Sequence, residues 1–244
     1  MLPTARLGGA LELVPGIAIA ASVATGMRTP SFVELLGDAE LVSGNTGLRP
    51  EGSTGGDLGI VARGRVGPLE GFVEARGFAL WMRDLIRYVR TDAHQWTPQN
   101  VAEAWTAGLE ASANVRFERL VRFAGALTWM ESEDLSRGRA LPFRPRLTAY
   151  GRLELTVPDL PAPLAGVGAW IEAEYVGETF DTPENDVPIP EVTRVGAGAS
   201  LALRGDALRL DLIVRDVFDA RGRDALLRPL PGRSVALQIA VRMD

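Results

Sequence analysis

The amino-acid sequence predicts an all-β protein, an antiparallel up-and-down transmembrane β-barrel segment of about eleven strands. The first supporting observation is a period of two, clearest from Trp105 to Phe117, where every odd-numbered residue is apolar. The even-numbered residues between them include Glu110, Asn114 and Arg116. Because successive side chains of an extended strand point to opposite faces, this pattern predicts one apolar face and one polar face.

The second observation is that aromatic residues close the ends of the apolar faces. Trp105 and Phe117 do so on one predicted strand, and Phe123 and Trp129 do so on the next. With about ten residues or more, these strands exceed the roughly 5–6 residues usual in globular sheets and match the length that crosses a tilted bilayer. Aromatic girdles at both membrane interfaces are typical of transmembrane β-barrels.

Further stretches of this kind follow one another along the chain, and we expect each to form one strand. In order they are residues 5–13, 17–26, 53–62, 71–82, 105–117, 121–130, 147–156, 167–175, 195–203, 208–215 and 235–243. Short breaks, most of them with Gly, Pro or Asp, separate the two strands of each pair. These breaks are residues 15–16, 63–68, 118–119, 158–161 and 205–206. The apolar stretch 17–24 could be taken for a signal peptide, but the turn before it and the alternation around it favour a strand.

The third observation is that the connections alternate between short and long. The long ones are residues 27–52, 84–99, 131–146, 177–191 and 219–233, and the start of 84–99 can also be interpreted as a continuation of the preceding strand. Outer-membrane barrels have this asymmetry, with short periplasmic turns and long extracellular loops. A soluble β-sandwich is the alternative fold because its strands also alternate, but they are usually shorter and its loops have no one-sided length bias.

Charged residues are sorted onto the polar faces of the predicted strands. Arg116, Arg152, Glu172 and Asp211 all follow this rule. A charge that faces lipid at mid-bilayer costs about 2–4 kcal/mol, which gives the sorting a physical cause. We therefore expect the apolar faces to contact hydrocarbon and the polar faces to line a lumen.

The composition suits a large all-β unit and excludes other classes of protein. The chain has 244 residues and no Cys, so a disulfide framework and a thiolate metal site are excluded. Its formal net charge of −5 argues against a nucleic-acid partner. No apolar run reaches the roughly 18 residues of a membrane-spanning helix, and a β-barrel would contain no such run.

The long loops and their borders contain a series of short motifs. They are GMRTPS (26–31), EL (34–35), GN (44–45), LRPE (48–51), DLI (84–86) with Tyr88, NV (100–101) leading into GLE (108–110), VFD (217–219) and PGR (231–233). In order and spacing, over nearly the whole chain, they resemble the signature of TonB-dependent outer-membrane receptors. One departure is that Asp216 stands where the family usually has Asn before the VFD motif.

The resemblance implies a barrel of about 22 strands around an N-terminal plug, which binds ferric siderophores, cobalamin, glycans or other nutrients and imports them with energy from TonB. Residues 1–244 would then be a partial β-barrel domain without the plug, the C-terminal half of such a barrel. We expect a strongly curved, incomplete wall in contact with outer-membrane lipid. The implied partners are the plug, the N-terminal barrel strands, the TonB complex and a small-molecule nutrient.

Few side chains suggest chemistry, and each has a plainer explanation. His94 stands at a predicted loop tip, where it could contact a ligand or simply be exposed. Asp181, Glu184 and Asp186 could bind a calcium ion, but their spacing lacks the regularity of a dedicated loop, which favours a solvated acidic loop.

Four arginines in the third long loop are open to three interpretations. Arg137, Arg139, Arg144 and Arg146 could attract an anionic ligand, bind lipopolysaccharide phosphates or face water.

Three further features provide no catalytic or phosphate-binding site. Glu172 and Glu174 share the inward face of one strand, yet no nucleophile or metal ligand accompanies them in the pattern. One His and no Cys provide no Ser-His-Asp or Cys-His arrangement. The glycines of residues 196–198 lie in mid-strand, whereas a phosphate loop needs a helix after it.

We therefore predict no catalytic, cofactor-binding or metal-binding residue, and the sequence identifies no ligand-binding residue. The leading hypothesis is a receptor and transporter segment for TonB-dependent uptake, located in the cell outer membrane. The alternative is a structural remnant or a passive pore without gated transport. An outer-membrane enzyme, such as a lipase on a barrel, is the third hypothesis, and the sequence offers poor candidates for its catalytic residues.

Overall fold

The structure, a computed structural model, describes residues 4–38, 41–90, 96–203, 207–225 and 228–242. Its strands are β1 (Ala5–Val14), β2 (Ile17–Arg28), β3 (Glu51–Val66), β4 (Leu69–Arg90), β5 (Trp96–Phe117), β6 (Val121–Asp134), β7 (Arg139–Ala140), β8 (Leu147–Pro158), β9 (Leu164–Val176), β10 (Thr179–Phe180), β11 (Pro188–Ile189), β12 (Val192–Leu203), β13 (Leu208–Arg215), β14 (Arg223–Ala225), β15 (Arg228–Pro229) and β16 (Ser234–Val241). A short helix, α1 (Phe32–Leu36), lies between β2 and β3. In the described part of the chain, no helix combines the length and the apolar character that crossing a membrane requires.

Eleven strands form one continuous antiparallel sheet, called the wall here. Its order, β1-β2-β3-β4-β5-β6-β8-β9-β12-β13-β16, follows the chain, and β7 pairs with β6. Two further strand pairs, β10 with β11 and β14 with β15, lie in the long connections. The predicted up-and-down topology is confirmed. Among the described residues, β1 and β16 each pair on one side only, so the wall is open.

The wall has almost no apolar core. Few apolar side chains are buried, Ala104 and Ile189 among them, whereas Trp81, Leu109 and Ile171 are 58%, 57% and 53% exposed. A β-sandwich packs the apolar faces of two sheets against each other, so this single sheet with exposed apolar residues excludes that alternative. An apolar face on a long-stranded sheet is what contact with lipid hydrocarbon requires.

The register shows where the aromatic residues meet. Trp81 pairs with Trp105, and Trp129 pairs with Leu109 rather than with Trp105. Trp81 and Trp105 therefore lie at the same level near the long-loop ends of β4 and β5, whereas Trp129 on β6 lies farther from that end. This difference arises because the aromatic residues of β6 lie closer together along the strand than those of β5.

The prediction of a long loop over the whole of 84–99 was wrong, and the alternative that its first part continues the preceding strand is confirmed. β4 continues to Arg90 and β5 begins at Trp96, so that ladder pairs extend from Leu85 with Ala102 to Arg90 with Trp96, past a bulge. Ladder hydrogen bonds hold these residues extended although their side chains do not alternate. The predicted strict alternation of short and long connections therefore fails at the β4–β5 hairpin, which projects beyond the wall. The other predicted long connections are present, and all of them lie at the same end of the wall as this hairpin.

Candidate functional site: the inner face and the long-loop end

The polar face of the wall carries ion pairs between neighbouring strands. On β2, β3 and β4, the Ser22 hydroxyl donates a hydrogen bond to Asp57, and Arg76 lies 3.0 Å from Asp57 and 2.7 Å from Glu74. These side chains are half-buried, so each charge has a partner within the protein. The face opposite the exposed apolar residues is therefore polar but locally balanced in charge.

A second polar group lies on β8, β9 and β12. Arg152 lies 3.0 Å from Glu172, and its guanidinium carbon lies 3.9 Å from the centroid of the Trp170 ring. The ring lies against Gly198, where an added Cβ would be 2.5 Å from it. Glycine is therefore required at this position, which assigns Gly198 of the glycine-containing segment 196–198 a packing role.

The predicted inward-facing acidic pair on β9 is matched by arginines on the neighbouring strands. Glu172 contacts Arg152, and Glu174 contacts Arg194 at 2.6 Å. Both carboxylates thus take part in inter-strand ion pairs, an arrangement that stabilises the sheet and positions no reacting group.

The first long connection folds onto the projecting β4–β5 hairpin. The Trp96 amide donates to the Leu41 carbonyl at 2.8 Å, and the Ser43 amide donates to the Trp96 carbonyl at 2.9 Å. The Asn45 side-chain amide donates to the carbonyl of Pro98, which is fully buried. Main-chain pairing across the two segments therefore fixes the long-loop end of this half of the wall.

An ion pair between the half-exposed Arg28 and the buried Glu34 holds α1 at the end of β2. Arg28 donates to Glu34 at 3.0 Å and to Glu51 at 2.6 Å, and Ser31 forms a capping box with Glu34. Glu34 is 5% exposed. Hydrogen bonds from Arg28 outweigh the effect of burial and hold the pKa of Glu34 below its ordinary value. The charge network gives the apolar helix, whose Phe32 side chain is exposed, a fixed position.

The most buried carboxylate of the long-loop end is Asp134, at 1% exposure. It contacts Arg87 at 2.6 Å and Arg137 at 3.0 Å and accepts hydrogen bonds from Ser136. Burial alone would raise the pKa of Asp134, but the hydrogen bonds from Ser136 and Arg137 and the charge of Arg87 hold it below its ordinary value. Sequence reasoning missed this site because Arg87 and Asp134 lie far apart in the chain, and the motif around Arg87, DLI (84–86) with Tyr88, indicates no partner for it.

The four arginines of the third long connection do not converge on one site. Arg137 contacts Asp134 and lies 3.8 Å from Glu184, and Arg146 lies 3.8 Å from Glu131. The remaining two, Arg139 and Arg144, are exposed.

The acidic residues of the fourth long connection also separate. Asp186 accepts a hydrogen bond from Thr182, and Glu184 faces Arg137. Within the described ranges, no group of three or more carboxylate or imidazole side chains could hold a metal ion. His94 lies outside the described residues.

The sequence also matches a protein family. Residues 3–216 match the family described as "TonB dependent receptor-like, beta-barrel". A comparison with curated proteins finds no match.

Several solved structures share the fold. They include the FrpB iron transporter from Neisseria meningitidis (15% identity, TM-score 0.72), a variant of the ferric enterobactin receptor PfeA from Pseudomonas aeruginosa (19%, 0.74) and the copper transporter OprC (18%, 0.75). The matches cover 96%, 97% and 97% of this chain but 38%, 39% and 39% of those chains. The chain thus spans about two fifths of their length, and at these identities the likeness concerns the fold alone.

Proposed function

Because the chain belongs to the TonB-dependent receptor-like β-barrel family, a family of outer-membrane receptors, we propose that it forms the C-terminal half of the barrel of a nutrient importer. The cargo would be a small molecule such as a siderophore, cobalamin or a glycan, and TonB would supply the energy through a plug. The observation that carries the proposal is the two-faced wall, with Leu109 exposed on one face and the Asp57–Arg76 pair on the other.

The two faces match the two environments of a transport barrel. Hydrocarbon accepts exposed aliphatic and aromatic side chains, and the ion-paired face tolerates water and a hydrated solute. The projecting hairpin and the loop packed onto it provide a structured surface at the end where a ligand would arrive from outside the cell. All of these features are compatible with a receptor and do not depend on a catalytic residue.

The direction of the two edge strands determines how many further strands could close the wall. Ten successive antiparallel steps separate β1 from β16, so both edge strands run in the same direction. A second copy in the same membrane orientation would bring β1 against β16 in parallel, whereas transmembrane barrels of this kind pair antiparallel. An odd number of further strands, on this or another chain, would satisfy both edges, since open edges have unpaired backbone groups that lipid cannot bind.

A passive pore is the second candidate, and the water-compatible inner face favours it. The two functions differ in their need for energy. In planar bilayers without TonB, a passive pore conducts steadily, whereas a gated importer stays closed.

The test is uptake by cells that differ only in this chain and in TonB. Ferric siderophore, cobalamin and an oligosaccharide would each be offered as labelled cargo to cells with and without the chain, before and after TonB depletion. We expect uptake of one cargo that needs both proteins. Uptake that persists without TonB, together with steady conductance, would instead establish the pore.

A further inference from the structure

A cavity of about 720 Å³ lies at the long-loop end between the last two long connections. Residues 190–193, at the start of β12, form one side of the cavity. The rest of its lining comes from residues 219–223, 228–230 and 232. Cavities of roughly 300–1,000 Å³ are the usual size for small-molecule sites. The volume therefore suits an organic ligand better than a single inorganic ion.

The cavity borders the inner side of the wall. Gly222 in its lining packs against Val192, whose Cγ2 would lie 2.8 Å from a Cβ at Gly222. Val192 shares its face of β12 with Arg194, which pairs with Glu174 on the polar side. The Leu230 amide donates to the Gly222 carbonyl at 3.0 Å and closes the loop over this contact.

Both carboxylates of the lining are already engaged. Glu191 accepts a hydrogen bond from the Tyr175 hydroxyl at 2.7 Å, and Asp219 accepts one from the Arg233 amide at 2.9 Å. Their hydrogen-bonding capacity toward a ligand is reduced by these contacts.

Three arginines line the same cavity and retain donors. Arg223 is anchored, because one of its terminal nitrogens donates to the Pro188 carbonyl at 2.8 Å. Arg228 contacts Asp224 at 2.7 Å, yet its side chain is 75% exposed. Within the described ranges, Arg221 and Arg223 form no ion pair with a carboxylate. This differs from the inner face of the wall, where arginines such as Arg152 contact carboxylates.

We propose that this cavity binds a small molecule with two or more oxyanion groups, carboxylate or phosphate, through Arg221, Arg223 and Arg228. The planar guanidinium presents forked donors that match such groups in a bidentate way. Only the interpretation of this ligand as cargo rests on the proposed uptake function. The binding of the ligand to the cavity does not depend on that function. The anchored Arg223 sets the position of one group, and the more exposed arginines accommodate the others.

The absence of cysteine from the chain provides a clean test. Thr193→Cys places a single thiol in the lining, where an environment-sensitive fluorophore reports occupancy on cells that display the receptor. Citrate and pyrophosphate serve as carboxylate and phosphate probes, and maltotriose serves as a neutral probe. We expect a saturable emission change with at least one anion and none with the sugar.

Variants then locate the binding site. Arg221→Gln and Arg228→Gln should each weaken anion affinity about tenfold or more, since a hydrogen bond to a charged group contributes about 1.5–3 kcal/mol. Arg146→Gln, at another exposed arginine of the long-loop end, should change affinity less than about twofold, as expected for a screened surface charge. Unchanged affinity in both cavity variants, an equal loss in the Arg146 control, or a response to maltotriose alone would overturn the proposal.

The same cells separate this proposal from the uptake function. TonB-dependent uptake without anion binding would leave the proposed function standing and refute the cavity. If cells show no uptake but bind the anion, and the cavity variants abolish that binding, the cavity proposal stands and the uptake function is refuted.

Discussion

The orientation of the wall can be tested with two adjacent residues at the same depth. Ala111 lies on the apolar face of β5 and Ser112 on its polar face, opposite Glu74 of β4. Ala111→Arg would direct a charge into hydrocarbon, whereas Ser112→Arg would direct the same charge toward the lumen and beside a carboxylate. The pair thus differs in face but not in size, charge or strand.

The depth of these residues follows from the aromatic ends of β5. Phe117 follows Trp105 by twelve positions, which is about 40 Å along a strand that rises roughly 3.3 Å per residue. A tilt of about 40° reduces this to about 30 Å of depth, close to the hydrocarbon thickness of a bilayer. Ala111 lies at the centre, where a lipid-facing Arg costs about 2–4 kcal/mol. At 1.4 kcal/mol per factor of ten, this is about 30- to 700-fold in the folding equilibrium.

The assay is outer-membrane assembly in cells, read as the heat-modifiable folded band, together with urea titration of the protein in phosphocholine vesicles. We expect Ala111→Arg to lower both the folded fraction and the free energy of unfolding, and Ser112→Arg to lower neither by more than about 1 kcal/mol, as for an exposed charge. Equal losses for the two variants, or a larger loss for Ser112→Arg, would refute the assigned orientation.

Three further predictions concern the long-loop end. Asp216→Asn should stabilise the base of the last long connection by about 1 kcal/mol, because a neutral amide costs less to bury than a carboxylate with one buried, unpartnered oxygen; thermal unfolding measures the gain. Ionised Glu34 stabilises α1 above the ordinary pKa of about 4.5, and this stabilisation is lost as the pH falls through the lower folded pKa. Protection of the amides around Arg28 and α1 from exchange, relative to their intrinsic rates, should therefore fall there. Asp134→Ala should cost the projecting hairpin about 3–5 kcal/mol, because it leaves the half-buried Arg87 without its partner; limited proteolysis reports the loosening.

Each of these predictions has a control variant. Asp219→Asn, at an exposed carboxylate without such a buried oxygen, should not reproduce the gain from Asp216→Asn. Glu34→Gln should remove the acid-dependent step in amide exchange, and a step that survives would assign it to another carboxylate. Glu184→Ala, at an exposed residue beside Arg137, should leave the protease resistance intact, and equal sensitivity to Asp134→Ala would contradict the role of the buried pair.

The wall could be predicted from sequence because its cause is local. A strand with lipid on one side and water on the other needs alternation at every residue, so single stretches such as 105–117 reveal it. Residues 85–90 lie past the tryptophans that end the apolar faces and have no such alternation, so for them a strand was only one of two interpretations. Their extended form depends on pairing with 96–102 and on contacts of the first long connection, which no local pattern records.

The polar sites were less predictable for the same reason. The alternation of side chains along the strand predicts that Glu172 faces inward. Its pairing with Arg152, in contrast, depends on the register between β8 and β9. The motif around Asp216 marked a departure from the family pattern, and the structure places an unpaired oxygen at that residue. A departure from a family signature can therefore identify a residue with an unsatisfied buried polar atom from the sequence alone.

The distribution of paired and unpaired arginines separates two roles within one molecule. Arg76 and Arg152 on the inner face contact carboxylates of neighbouring strands, so that surface is polar without a strong preference for either sign of charge. Arg221 and Arg223 contact no carboxylate in the described part of the chain, and they line a cavity at the end where solutes would enter. Discrimination by charge would therefore occur at the entrance, and the lumen below it would admit what the entrance has selected.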